Sequence, residues 1–173
     1  MGTPCEYLSK MTPVQLAENF ECEKNWLRYY GGMPENLEYH QGSIYDMLYD
    51  AIRAYPKSLA MEYFDVEFTY RDLSERIEEV AQALLGLDVV PNESVTICMP
   101  NMPEAIFLIY AINKIGAVCN VIHPLSDHDD IVNAVESTNS TLVFKTDVSA
   151  LKVEGVKAKV VVCEVSNSMK PLV

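Results

Sequence analysis

The stretch Ser94 to Ser126, SVTICMPNMPEAIFLIYAINKIGAVCNVIHPLS, decides the fold. Ser94 to Met99 is a β-branched and apolar run too short for a helix and closed by Pro100, so it reads as a buried strand. Asn101 is placed to cap the helix that follows: its side-chain oxygen can accept an orphan N–H three residues on, where Glu104 also favours the positive helix end. Pro103 suits that first turn because it has no N–H to lose and its φ is already helical. From Ala105 to Ile115 apolar residues surround the helix, which predicts burial on more than one side. Gly116 supplies a left-handed exit, and Ala117 to Ile122 reads as another buried apolar strand. Two strands joined by such a helix are most economically parallel, with a right-handed crossover.

Working outward, Thr12-Pro13-Val14-Gln15 has the form of a capping box whose helix runs to Gly31-Gly32, with Phe20, Trp26, Tyr29 and Tyr30 as packing anchors. Met33 to Gly42 has no period and reads as a linker. Ser43 and Asp46 open a second helix that stops at Tyr55-Pro56. Ser58 to Phe64 and Val66 to Tyr70 form a hairpin around Asp65. Thr69 and Asp72 cap a third helix, with Leu73, Ile77, Val80, Ala81, Leu84 and Leu85 facing inward and Gly86 as its stop. Ser126 and Asp129 cap another, ending near Thr138 with Ile131, Val132, Ala134 and Val135 on its apolar face. Thr141 to Lys145 and Lys159 to Cys163 are further strands, separated by a small helix or loop around Val148 to Val156. The fold expected is α/β: a doubly wound, mostly parallel sheet with helices on both faces, a short β-hairpin, and an N-terminal helical extension. The domain division expected is 1–42 as extension and linker and 43–173 as the α/β body.

A chain of 173 residues buries roughly 70% of its unfolded surface on folding, enough for a core without staples. Its net charge of -12, without any Lys/Arg cluster, argues against nucleic acid or an anionic membrane as partner. The five cysteines, Cys5, Cys22, Cys98, Cys119 and Cys163, are odd in number and have no C-x-x-C spacing, so they read as small hydrophobes. There is neither a signal-like start nor an apolar run long enough to span a membrane, which makes the cytoplasm the default address.

In an open α/β sheet ligands gather outside the carboxyl ends of the strands, here Pro100-Asn101, His123-Pro124, Thr146-Asp147 and Glu164-Val165-Ser166. No glycine-rich phosphate loop and no G-x-S-x-G elbow is present. Ser166-Asn167-Ser168-Met169-Lys170 has hydroxyls and a lysine but no glycine, and reads as a loop or frayed end. His123, His128, Asp127, Asp129 and Asp130 offer metal-ligand chemistry at poor spacing; capping and dipole roles account for the carboxylates more simply. His123 alone could serve as acid or base but has no nameable partner, and His40 has less to recommend it. Tyr45, Tyr49 and Tyr63 read as packing residues with polar tips, and Trp26 as packing rather than ligand stacking.

Five motifs in order, Phe68-Thr-Tyr-Arg-Asp-Leu73, Leu87-Asp-Val-Val-Pro-Asn-Glu-Ser-Val95, Met99-Pro-Asn-Met-Pro-Glu104, Ala111-Ile-Asn-Lys-Ile-Gly-Ala-Val118 and His123-Pro-Leu125, resemble the N-terminal part of AMP-forming acyl-CoA synthetases of the adenylate-forming superfamily. The likeness runs from about Ile44 to Cys163. Asp72 stands where that family has Glu, Asn92-Glu93 where it has Gly-Asp, and His123 where it has Asn; the missing glycine at 92 predicts a different turn. The resemblance implies two-step chemistry, in which a carboxylate attacks the α-phosphate of ATP to give an acyl-adenylate and pyrophosphate, and the thiol of coenzyme A then displaces AMP. ATP, magnesium and coenzyme A are thereby implied for a full-length parent, with none bound by this region. The family's phosphate loop, magnesium carboxylate, ribose Asp and catalytic Lys all lie beyond the matched region, so no catalytic, cofactor-binding or metal residue carries over. The expected partners are downstream subdomains of the same chain, a carboxylic acid in the parent, and a second copy through apolar surface left uncovered. Two other readings stay open: a complete flavodoxin-like binding or regulatory domain, and an interaction scaffold built on Met1 to Gly42.

Overall fold

The structure, a computed structural model, describes residues 27, 29–34, 36–147 and 155–165. The chain separates into two compact units, Met1–His40 and Gln41–Val173. The helix expected from Thr12, with Phe20 and Trp26, lies outside the described residues. In the first unit a turn closes through Tyr30 N–H to the Leu27 carbonyl at 3.0 Å and Met33 N–H to the Tyr30 carbonyl at 2.9 Å. Tyr29, expected as an anchor, is 74% exposed.

The second unit begins with α1, Ile44–Ala54, opened by the predicted capping box: Asp46 N–H donates to Ser43 Oγ, and Ser43 N–H donates to the Asp46 carboxylate at 2.7 Å. Strands β1, Leu59–Tyr63, and β2, Val66–Thr69, pair antiparallel. Between them Phe64 and Asp65 take φ of 45° and 59°, the two left-handed positions of a type I′ hairpin turn. Helix α2, Tyr70–Gly86, starts on the reciprocal Thr69/Asp72 box and buries Leu73, Ile77, Ala81 and Leu84. Leu85 departs from the expected stripe and is 48% exposed, since it is one residue, about 100°, beyond Leu84 around the helix. Gly86 is the last helical residue rather than the left-handed stop; Asp88 takes that conformation, with φ 66°. The Val89 and Asp88 amides then return to the Leu84 and Leu85 carbonyls in a Schellman motif, with Val89 buried.

Strand β3, Ser94–Cys98, is buried at every position. Helix α3, Pro103–Lys114, buries Ala105, Phe107, Leu108, Ala111 and Ile112. Its N-cap is Met102, with no side-chain hydrogen bond, and not Asn101. Pro103 at the first helical position holds the residue before it extended, so Met102 occupies the cap and its side chain goes into the core, leaving Asn101 one residue too early. Strand β4, Val118–Val121, helix α4, His128–Thr138, and strands β5, Leu142–Thr146, and β6, Lys159–Cys163, complete the unit. Helix α4 has Asp127 rather than Ser126 at its N-cap, without a side-chain cap bond, and Ser126 lies in the preceding turn with its N–H donating to the His123 carbonyl. The segment expected to separate β5 from β6 lies mostly outside the described residues.

The main sheet is parallel throughout, in the order β4-β3-β5-β6. Val95, Ile97, Leu142 and Phe144 pack against α2 and α3, whereas Cys98 and Val143 pack against Ile131 and Val135 of α4. Alternate strand residues face opposite sides, so α3 and α4 cover opposite faces and the sheet is doubly wound. The run Ala117 to Ile122, expected to be buried, forms an edge strand with Val118 50% and Val121 57% exposed. The strand order explains this: β3 lies between β4 and β5, so β4 has a neighbour on one side only.

Under α4 the sheet carries a hydrogen-bonded polar patch. Thr96, fully buried, donates to Ser140 Oγ at 2.8 Å and accepts from Asn120 Nδ2 at 2.9 Å, while Ser94 and Thr138 also reach Ser140. On the other face Lys114 joins three helices: its ammonium bonds Tyr45 of α1 at 2.9 Å and Glu78 of α2. Burial works against the Lys114 charge, but those two bonds outweigh it and hold the pKa above the ordinary lysine value.

Candidate functional site

The parallel order places all four carboxyl ends along one rim. Ile97 is in register with Val121 and Phe144, and Thr146 with Cys163, so His123, Pro100, Asp147 and Glu164 follow one another across it. The chain leaves β3 toward β4 and β5 toward β6, in opposite directions, which makes the gap between the ends of β3 and β5 the switch point where such sheets take ligands. Asn101 and Asp147 are exposed beside that gap, and Thr146, 1% exposed, lies in its floor.

The polar groups of the rim largely serve one another. Asp147 N–H donates to the Cys163 carbonyl at 3.0 Å, and the Asp147 carboxylate accepts from Val165 N–H at 3.1 Å, fixing how the chain leaves β6. The Cys98 thiol points at the His123 carbonyl at 3.8 Å, and Ile122 N–H donates to the Ile97 carbonyl at 3.0 Å. Glu104, in the first turn of α3, acts electrostatically on Cys163 of β6.

The three described cysteines are not nucleophiles. Burial raises the Cys98 thiol, opposed by Lys145, and pushes Cys119 up to about 11; burial and then the Glu104 charge push Cys163 up to about 11. A thiol attacks as thiolate, so at neutral pH these act as apolar packing groups. Cys5, Cys22, Trp26 and Ser166 to Lys170 lie outside the described residues.

His123 and the acidic start of α4 do not converge on a metal site. His123 Nδ1 accepts from Leu125 N–H at 3.2 Å, and Asp127 is the helix cap. Among the described residues no three His, Cys, Asp or Glu side chains come together in a way that could hold a metal ion. Tyr45 stacks on Tyr49 at 6.2 Å and lies under the Lys114 ammonium at 4.8 Å, and Tyr63 meets Phe64 edge-on at 4.7 Å. Asp147 as the fastener of the rim was not legible in the sequence; a lone Asp after a strand carries no mark of its partner.

Residues 48–172 match the family of AMP-binding enzymes. The chain belongs to that family. The five motifs, from Phe68 to Leu125, fall within the matched span. Among curated relatives, a linear gramicidin synthase of Brevibacillus parabrevis is 35% identical over 89 residues, 51% of this chain and 1% of its own length. Acetyl-coenzyme A synthetase 1 of Pseudomonas aeruginosa is 35% identical over 81 residues, 47% of this chain and 12% of its own. The fold matches the N-terminal subdomain of Klebsiella oxytoca NpsA in complex with anthranilyl-AMSN, with a TM-score of 0.65 at 22% identity, covering 71% of this chain and 31% of that one. It also matches VinN in complex with L-aspartate, with a TM-score of 0.68 at 24% identity over 73% of this chain and 36% of that one. The region present here corresponds to an N-terminal part of the AMP-binding domain, and spans a small share of the relatives it matches.

The turn at Asn92 is built on a left-handed residue. Asn92 holds φ 67°, Glu93 N–H closes the turn on the Val90 carbonyl at 3.1 Å, and Asn92 N–H donates to the Gly116 carbonyl at 2.8 Å. Asparagine tolerates the left-handed region, so it meets the backbone demand that glycine would otherwise meet. The Glu93 carboxylate accepts from Val90 N–H at 2.9 Å, and hydrogen bonds from Thr141 and Val90 hold its pKa below the ordinary carboxylate value.

Proposed function

We propose that this chain is the N-terminal scaffold of an ATP-dependent acyl-CoA synthetase, a ligase that turns a carboxylic acid into an acyl-adenylate and then into a thioester of coenzyme A. The family match over residues 48–172 carries the adenylate-forming class. Likeness to two bacterial acetyl-coenzyme A synthetases supports coenzyme A as the thiol. The described residues do not fit a nucleoside triphosphate: among them the rim holds no glycine-rich loop with a lysine, and the Asp147 carboxylate is taken up by the Val165 amide. ATP, magnesium and coenzyme A therefore belong, in this reading, to further segments of a longer protein, and no step of the reaction is assigned to a residue here.

A second reading has a specific observation behind it: several relatives are peptide synthetases, the gramicidin synthase among them, which favours an adenylation domain that activates an amino or aryl acid for a carrier-bound thiol. The deciding experiment is ATP–pyrophosphate exchange with panels of simple carboxylic, aryl and amino acids, on this chain and on the protein encoded by its extended reading frame. The chain alone is expected to be silent, and the extended protein to turn over simple carboxylic acids and to release their coenzyme A thioesters. Exchange confined to amino or aryl acids without thioester release to coenzyme A selects the second reading. Turnover by the 173-residue chain alone overturns its assignment as scaffold.

A further inference from the structure

Helix α1 is held to the body along a narrow stripe. Ile52 is its one buried residue, with Tyr45, Leu48 and Ala51 half-buried, whereas α2 buries four residues and α3 six. Tyr45 and Leu48 pack against the main core. The two ends of α1 are attached differently. Beyond Tyr55 the backbone is stitched to the first turn of α2: Arg71 N–H donates to the Pro56 carbonyl and Tyr70 N–H to the Ser58 carbonyl, both at 3.0 Å. At the other end Tyr45 reaches the last turn of α3. Its N–H, one of the helix-start amides that have no partner within the helix, donates to Asn113 Oδ1 at 3.2 Å, and its hydroxyl accepts from Lys114 Nζ at 2.9 Å. Lys114 also pairs with Glu78 of α2. The Ser43/Asp46 capping box is internal to α1 and its cap, so it travels with the helix, whereas the bonds to Asn113 and Lys114 exist only while α1 is docked.

We propose that α1 is a hinged strap, pinned beside Pro56 to the start of α2 and latched through Tyr45 to the end of α3, that opens as a unit while the rest of the fold stays closed. Elements with few buried apolar contacts are the first to open in a native protein. Release breaks the two Tyr45 bonds and lifts Tyr45, Leu48 and Ile52 off the body. Lys114 keeps its pairing with Glu78, so α2 and α3 remain joined. Helix α1 lies chiefly against α3 and α2, so the parallel sheet keeps its pairing as well. The latch is therefore a side chain whose loss frees one helix and leaves its neighbours in place.

The test is native-state hydrogen exchange on the full 173-residue chain, read element by element after correction for intrinsic rates. In the wild type the amides from Leu48 to Tyr55 are expected to exchange at least about tenfold faster than the slowest amides of α2, α3 and β3. Tyr45→Phe keeps the ring and removes the hydroxyl, and is expected to speed exchange in α1 by a further factor of about two to ten, the worth of one hydrogen bond, with α2, α3 and β3 unchanged. Asn113→Ala is expected to give the same pattern from the other side of the latch. Arg76→Gln, which breaks an exposed pair within α2, is expected to leave α1 as it is. Exchange of α1 in step with α2 and α3 in the wild type overturns the proposal. So does a Tyr45→Phe or Asn113→Ala effect that is spread equally over all elements, or one that is missing from α1. The readout is independent of any ligase activity.

Discussion

Gly116 and Asn92 set the base of the sheet. Gly116 has φ 77°, and a Cβ built there meets Pro91 Cβ at 3.5 Å, an ordinary contact, so the conformation and not space demands glycine. Gly116→Ala is expected to cost about 1–2 kcal/mol, read as a lower urea midpoint with an unchanged slope. Asn92→Gly, by contrast, is expected to leave the midpoint almost unmoved, because either residue accepts φ 67°. The capping box of α2 carries a pH signature. The hydrogen bonds that Asp72 accepts from the Thr69 side chain and backbone hold its carboxyl below the ordinary 3.8. A folded-state value below the unfolded one means that the contribution is complete above 3.8 and lost as pH falls through the lowered value. Thr69→Ala is expected to cost about 1 kcal/mol near neutral pH. It is also expected to shallow the acid limb of a melting-temperature profile; an acid limb identical to wild type would exclude Asp72 from it. At this scale the sequence was readable where a bond is local. Both capping boxes lie three residues apart in the chain, whereas the caps of α3 and α4 depended on how Pro103 and the His123 turn set the backbone.

The helices differ in how much of their circumference the fold uses, and the mutational response follows from that. On α2, Ile77 is fully buried against α3 while Leu85, which the apolar pattern alone places with it, is half exposed. Ile77→Ala is expected to cost roughly 2–5 kcal/mol and Leu85→Ala below about 1 kcal/mol, measured side by side by chemical denaturation. Equal losses would mean that Leu85 has a partner in solution. Helix α3 was legible as a helix buried on several sides because nearly every position from Ala105 to Ile112 is apolar. Strand β4 misled for the same reason: Val118, Cys119 and Val121 are as apolar as a central strand, and only the strand order leaves two of them exposed.

For the molecule as a whole, the open rim of β4 has the strongest solution consequence. Its outer backbone edge has no strand beside it among the described residues, and Val118 and Val121 face outward. Such an edge is a template for pairing unless it is covered or charged. The chain alone is expected to self-associate, with a weight-average mass in sedimentation that rises with concentration, and Val121→Lys is expected to reduce that rise. A mass that stays monomeric across the range would show that this edge does not pair. Among the described residues, the sequence by itself determined the elements, their order and the α/β class, because cap residues, hydrophobic period and turn chemistry are written within a few residues of one another. Tertiary structure alone decided that β3 is central and β4 peripheral, that Asn92 takes a left-handed conformation, and that Asp147 and His123 spend their acceptors on neighbouring amides. Those outcomes depend on which strand lies beside which and on where each backbone amide points, and neither is encoded in residue type at a fixed spacing.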